Sequence, residues 1–146
     1  VDFKNTIIIM TSNLGSEYLL NHDENATELV MNEVHAHFRP EFLNRIDEIV
    51  MFNPLSKDVQ IKIVDKLLNE LRVRLNKNNI KVNFTNALKK YVIDNSYNTT
   101  YGARPIKRFI QKNIETEIAK KIISSEIEPN FYYEIDYQGH LVISTK

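Results

Sequence analysis

Apolar residues in the first third of the chain form short unbroken runs instead of an alternating pattern. Residues 6–10 read TIIIM and residues 48–52 read EIVMF. A continuous apolar run of this length is typical of a strand buried on both faces of a parallel sheet. TSNLGS follows the first run and Asn53-Pro54 follows the second, and such residues favour a strand exit. We therefore predict two strands here.

Helical signals and a polar loop separate these two runs. The polar loop covers residues 21–27. Pro40 is expected to end the second helix, because the residue before a proline disfavours helical geometry. The predicted helical elements are residues 17–20, capped by Ser16, residues 28–38, and a helical turn over residues 41–45.

The pattern changes after Pro54 to a long amphipathic helix over residues 57–76, for which Ser56 is the predicted N-cap. Apolar residues recur at three- and four-residue spacing, which places them on one face of the helix. The stripe consists of Ile63, Val64, Leu67, Leu68, Leu71 and Leu75.

Shorter elements fill the remainder of the chain. Residues 80–84 alternate as a strand does, and Thr85 is placed to cap the helix that follows. A turn over residues 98–102 precedes another helix that begins at Arg104. A hairpin around Gly139 closes the chain, with strands over residues 132–137 and 141–144.

These patterns divide the chain into two parts of different kinds. Residues 1–54 supply only two strands of a sheet that needs further strands and helices to bury both faces, so we expect an α/β remnant, the end of a parallel sheet. Residues 55–146 predict a small α+β domain of helices plus a short antiparallel sheet. That domain is about the smallest size that folds alone.

The amino-acid composition argues against several classes of function. Lys plus Arg and Asp plus Glu both number 19, and this balance argues against a dedicated nucleic-acid binder, which needs a basic surface. The chain has no cysteine, and no apolar run approaches the roughly 20 residues that membrane insertion requires. The N-terminus has no signal-peptide pattern, so we expect that the chain begins inside a longer protein, and the compartment stays open.

Asn13 and Arg45 are the first two candidates for chemistry. Asn13 lies just past the C-terminal end of a predicted buried strand, at the sheet edge where ligands bind in open α/β folds, and its amide can orient a water molecule. The alternative is a turn residue that bonds its own backbone. Arg45 can reach a phosphate across a subunit interface. The alternative is an ion pair with Glu41, Asp47 or Glu48, and Arg39 is a second candidate for the same role.

Arg104 is the strongest phosphate-binding candidate on physical grounds. Gly102 permits a tight turn and Pro105 suits the first turn of a helix, which places Arg104 at a helix N-terminus. Backbone N–H groups there favour an anion, and an added cation is unfavourable unless an anion compensates it. Lys107 and Arg108, one turn further on, are expected to be solvated or paired.

Other chemistries find no support in the sequence. It contains no GxxxxGK[ST] loop, so nothing in it cradles a β-phosphate. The four histidines do not form a metal-ligand set, and no nucleophile motif occurs. We therefore predict no metal site of the chain's own.

Four segments in order carry a resemblance to a known family: VDFKNTIIIMTSNLGS, FRPEFLNRIDEIVMFNPLS, LNELRVRL and YGARPIKRFIQKNIE. Together they resemble the C-terminal part of the second ATPase module of ClpB-type chaperones, over residues 1–125. The resemblance implies an AAA+ fold, with residues 1–54 ending the large nucleotide-binding subdomain and residues 55–146 forming the small subdomain.

The resemblance also implies roles for individual residues. Asn13 matches the polar sensor at the end of the central strand, and Arg45 matches the arginine finger that reaches the neighbouring subunit's ATP. Arg104, in GAR, matches the second sensor, which contacts phosphate within the same subunit. Ile61 and Ala103 match the apolar wall near adenine. ATP or ADP with Mg²⁺ is implied for a full-length protein, whereas this chain alone is not expected to bind nucleotide tightly or hydrolyse it.

The partners that the resemblance implies are a homo-hexameric ring and unfolded or aggregated polypeptides, with co-chaperones or a translocation complex as further possibilities. A protease-linked unfoldase is less favoured, since no [LIV]GF tripeptide occurs between Ser16 and Phe38. The alternative of a different class is an autonomous α+β interaction domain that binds an acidic peptide or nucleic acid through a basic patch at residues 104–108.

Overall fold

The structure is a computed structural model that describes residues 2–98 and 102–146. The chain divides into two compact units, Val1–Pro54 and Leu55–Lys146. Each unit has its own architecture. Within the described residues, no helix is long and apolar enough to cross a membrane.

The first unit contains three helices. They are α1 (Ser16–Leu20), α2 (Ala26–His37) and α3 (Pro40–Leu43). α1 packs on α2 at Gly15, which has a φ of 66° and lies so close to Val30 that an added Cβ would be 2.9 Å from the Val30 Cα. Gly15 is the N-cap of α1 and Ser16 is its first residue, so the predicted Ser16 cap is wrong. A glycine is needed at this position because no other residue fits both its φ and its space.

The two apolar runs of the first unit do not form strands. Residues 6–10 and 48–52 lie outside any helix or strand. The side chains of Ile7, Ile8 and Ile9 are 92%, 82% and 83% exposed. A strand is defined by the hydrogen-bonded ladder with its neighbour, and within residues 2–54 neither segment has such a neighbour. The strand prediction is wrong for this chain because it rested on burial that the chain itself does not supply.

The second unit begins with α4 (Lys57–Asn76), whose bounds agree with the prediction. The Ser56 hydroxyl accepts a hydrogen bond from the Val59 N–H at 3.4 Å, so the predicted cap is confirmed. The buried face of α4 carries aliphatic residues and one polar residue. Its members are Gln60, Val64, Leu68, Leu71 and Leu75.

Two further helical stretches complete this unit. α5 (Asn86–Ser96) starts at Thr85, whose hydroxyl accepts from the Leu88 N–H at 3.2 Å as predicted. The helix that begins at Arg104 is continuous but contains one wider turn: α6 (Arg104–Ile110), a π-helical segment (Gln111–Glu115) and α7 (Thr116–Ile123). The predicted turn over residues 98–102 falls mainly on residues 99–101, which lie outside the described residues.

The sheet has three strands in the order β1 (Lys81–Phe84), β2 (Tyr132–Tyr137) and β3 (Leu141–Thr145). β2 and β3 form the predicted antiparallel hairpin, with Ile135 opposite Ile143. β1 pairs with β2 in parallel, with Val82 opposite Tyr133, so the sheet is mixed and not wholly antiparallel. The helices between β1 and β2 form the crossover that a parallel pair requires.

The hydrophobic core of the second unit lies between the sheet and the helices. The predicted small α+β domain of helices and a short sheet is therefore confirmed. The largest fully buried apolar side chains come from the helical stretches of this unit, from the loop after α7 and from β2: Leu68, Leu88, Ile106, Ile114, Ile118, Ile127 and Ile135.

Candidate functional site

Asn13 lies in the turn that leads into α1, and it is exposed. Its carbonyl accepts from the Ser16 N–H at 3.2 Å. The side-chain bond of this turn is made by the Ser12 hydroxyl, which accepts from the Leu14 N–H at 3.2 Å. In the described chain the Asn13 amide makes no hydrogen bond of its own, so it is available to orient a ligand or a water molecule.

Arg45 follows α3 and is exposed. Its N–H donates to the Phe42 carbonyl at 3.0 Å, which fixes the backbone at the helix end. Its guanidinium forms no ion pair with any described carboxylate. The predicted alternative, an ion pair with a nearby acid, is therefore not observed, and the charge is free to meet a phosphate or a carboxylate from elsewhere.

Arg104 is the first residue of α6, and Ala103 is its N-cap. Its side chain is exposed and has no ion-pair partner among residues 2–98 and 102–146. Lys107 and Arg108 are also exposed, and no acidic residue lies in the first turn of α6. The first turn of α6 thus carries the cation Arg104 without a carboxylate, an arrangement that is electrostatically unfavourable until an anion joins it.

Ile61 and Ala103 belong to the same unit as Arg104, in which α4 and α6 pack against each other. Ile61 lies in the second turn of α4 and is 41% exposed, and Ala103 is half-buried. An exposed isoleucine near the start of the helix offers an apolar surface to a ligand. The structure places Ile61, Ala103 and Arg104 in the second unit and Asn13 and Arg45 in the first.

Gln60 is a residue that the sequence prediction missed. It is 0% exposed, and its side-chain amide donates to the Leu55 carbonyl at 3.2 Å and to the Asn98 carbonyl at 3.0 Å. Its Oε1 is buried and has no hydrogen-bond donor in the described part of the chain. An acceptor left in this state costs about 1–3 kcal/mol. The signal was present in the sequence, because Gln60 lies four residues before Val64 on the apolar stripe.

Gly102 completes this junction at the start of α6. Its φ is 61°, and a Cβ at this position would lie 3.6 Å from the Cδ1 of Leu55. The side chain of Leu55, the first residue of the second unit, therefore lies beside Gly102, and its carbonyl accepts a hydrogen bond from Gln60. The first residue of the second unit, the start of α4 and the start of α6 therefore lie close together.

Among the described residues, no group of three or more histidines and carboxylates is arranged to hold a metal ion. The exposed arginines are suited to anion recognition, because a guanidinium is always charged and presents several N–H donors.

Two family models match the chain. The model of the C-terminal, D2-small domain of ClpB protein matches residues 55–135. The model of the AAA domain (Cdc48 subfamily) matches residues 1–49.

Individual relatives and solved structures agree with these models. The chaperone protein ClpB of Bacillus cereus (strain ATCC 10987) is 45% identical over 154 residues, with 100% of this chain and 18% of the relative covered. The ClpB of Mycoplasma genitalium is 49% identical over 135 residues, covering 92% of this chain and 18% of the relative.

A solved complex of S. cerevisiae Hsp104 with casein has a TM-score of 0.82 and 37% identity, covering 95% of this chain and 26% of that chain. The chain thus spans about a fifth of the curated relatives' length. Because the D2-small model covers more than half of the residues, the chain belongs to the ClpB family.

Proposed function

We propose that this chain acts as the C-terminal part of the second nucleotide-binding module of a ClpB-type, ATP-dependent protein unfoldase or disaggregase. The observation that carries the proposal is Arg104, an exposed cation without an ion pair in the described structure, at the start of a helix that already favours anions. Family membership supports the proposal, because both parts of the chain match models of this class of protein.

Arg104 is assigned to sense nucleotide phosphate from the small domain. A guanidinium offers several N–H donors in a fixed plane, which suits the oxygens of a phosphate. Ile61 and Ala103 would supply apolar surface for the adenine ring. ATP or ADP with Mg²⁺ fits these residues, since the exposed arginine charge has no internal partner to give up. The nucleotide supplies the free energy of phosphoryl transfer.

We assign Arg45 and Asn13 to the part of ATP hydrolysis that the large domain would carry out. Arg45 would act as an arginine finger on the ATP of the neighbouring subunit, where its charge stabilises the transition state. Asn13 would orient the attacking water or contact the γ-phosphate through its unbonded amide. The chain has no phosphate-binding loop, so we do not expect it to hydrolyse ATP by itself.

The proposed setting is a homo-hexameric ring that threads unfolded or aggregated polypeptide. The solved S. cerevisiae Hsp104 structure is a complex with casein, and this supports a polypeptide as the class of partner. Disaggregation and protein translocation would use the same motor, with co-chaperones or a translocation complex as additional partners.

The alternative of an autonomous interaction domain is not favoured. That alternative assumes that the chain is unrelated to ATPases, whereas models of the ClpB D2-small domain and of the AAA domain match its second and first units. Of the basic residues at 104–108, Arg104 is assigned to nucleotide, and the group is not assigned to an acidic peptide or a nucleic acid.

The test is Arg104→Ala in a full-length protein that contains this chain. Loss of a charge-assisted contact to phosphate is expected to raise the KM for ATP or lower turnover by about 10- to 100-fold. Steady-state ATPase assays and nucleotide-binding titrations measure the effect. Lys107→Ala is the matched control, because Lys107 is an exposed cation of the same helix without an ion pair in the described chain. Equal behaviour of the two variants would refute the role of Arg104.

A further inference from the structure

Gln60 interrupts an otherwise aliphatic buried face. The other buried residues of α4 are Val64, Leu68, Leu71 and Leu75, and Gln60 occupies the position four residues before Val64. Its side chain is fully buried, and its Oε1 has no donor in the described structure. A leucine or methionine would fill this position without a buried acceptor. Packing alone therefore does not account for a glutamine here.

The two hydrogen bonds of Gln60 join segments that are distant in sequence. One goes to the carbonyl of Leu55, where the second unit begins, and the other to the carbonyl of Asn98, 38 residues after Gln60. Asn98 precedes the short segment that leads to Gly102 and Arg104. The Leu55 Cδ1 would lie 3.6 Å from a Cβ at Gly102, so the same two segments also lie close together at this position.

We propose that Gln60 is a positioning residue that couples the connection between the two units to Arg104. Its amide holds the Leu55 carbonyl and the Asn98 carbonyl against the first turns of rigid α4. Because Gln60 bonds to Leu55 and the Leu55 side chain lies beside Gly102, a displacement of Leu55 is expected to reach Gly102 and the start of α6, which carries Arg104. This inference rests on the proposed phosphate-sensing role of Arg104, and it adds a mechanism by which the connection between the units and the sensor move together.

Substitution of Gln60 by Met in the full-length protein is the first test. Methionine keeps the length and flexibility of the side chain but removes both donors. We expect the KM for ATP to rise by about three- to tenfold, because Arg104 is no longer held in one position. Gln60→Leu is a second variant of different shape. Thermal unfolding of each variant identifies the temperature range in which all of them are folded.

A double-mutant cycle with Arg104→Ala separates positioning from general destabilisation. If Gln60 acts through Arg104, Gln60→Met should change the KM for ATP by less than about twofold when Arg104 is already alanine. Leu71→Ala is the structural control, since Leu71 is buried on the same face of α4, three turns away from Gln60. It is expected to lower the thermal midpoint and leave the KM for ATP unchanged in the folded range.

Three outcomes would overturn the inference. Gln60→Met could leave the KM for ATP unchanged, it could act by the same factor with and without Arg104, or Leu71→Ala could reproduce its effect. In each of these cases the proposed function would still hold, provided that Arg104→Ala itself raises the KM for ATP or lowers turnover. If Arg104→Ala itself had no effect, the proposed function and this inference would both fail.

Discussion

Thr85 stabilises two elements through one hydroxyl group. It accepts from the Leu88 N–H at the start of α5 and donates to the Asp136 carboxylate on β2. Thr85→Ala should lower the free energy of unfolding by about 1–2 kcal/mol, because it removes an N-cap and a hydrogen bond to a charged group. Thr85→Ser keeps the hydroxyl and should lower the free energy of unfolding much less. Urea unfolding of the chain measures both, and similar losses would contradict this account.

Local chemistry explains which individual residues were predictable. The caps Ser56 and Thr85 follow from a side chain and a backbone N–H three residues away, so a short stretch of sequence contains the whole interaction. Gln60 was not predictable in the same way, because its partner Asn98 is 38 residues distant. A polar residue on the apolar stripe shows that a bond is needed, but the sequence does not identify the partner.

The carboxylates of β2 make the sheet sensitive to acid. The pKa of Asp136 is lowered chiefly by the hydrogen bond from the Thr85 hydroxyl and then by that from Gln138. The pKa of Glu134 is lowered chiefly by its hydrogen bond with Lys146 and then by that with Asn83. A lowered pKa in the folded state means that the charged carboxylate stabilises the fold. Both contributions are complete above the ordinary pKa values of 3.8 and 4.5 and are lost as the pH falls through the lowered values.

We expect the urea midpoint of the chain to hold steady from neutral pH down to about pH 5 and to fall steadily toward pH 3. The double variant Glu134→Gln with Asp136→Asn should show a shallower decline, because both replacements still accept hydrogen bonds but do not titrate. Urea titrations at half-unit pH steps measure the slope. An equally steep decline in the variant would show that other carboxylates dominate.

Helices were easier to predict than strand pairing. The bounds of α4 follow from an apolar stripe, a cap and a helix that contains its own hydrogen bonds. The parallel pairing of β1 with β2 depends on where the chain returns after α5, α6 and α7, which no local pattern encodes. Residues 6–10 have the composition of a buried strand, but a strand also requires a neighbour, and composition alone does not supply one.

Burial is distributed unequally between the two units. The core cluster extends from Val64 to Ile135 and lies wholly in the second unit. Among the described residues of the first unit, Val30 is the one buried apolar side chain. Because burial of apolar surface is the main favourable contribution to folding, the second unit has its own source of stability and the first has little.

Residues 55–146, expressed alone, should therefore unfold in one cooperative transition with an enthalpy of about 60 kcal/mol. Residues 1–54 alone should show no such transition and should self-associate through the exposed isoleucines of residues 6–10, since an exposed apolar patch favours association. Calorimetry and light scattering distinguish these behaviours. Replacing Ile7 and Ile9 by Asn within residues 1–54 is the control, and it should reduce the scattering. A cooperative transition in residues 1–54 alone would show that the first unit has a stable fold of its own, and the absence of a transition in residues 55–146 alone would show that the second unit depends on the first for stability.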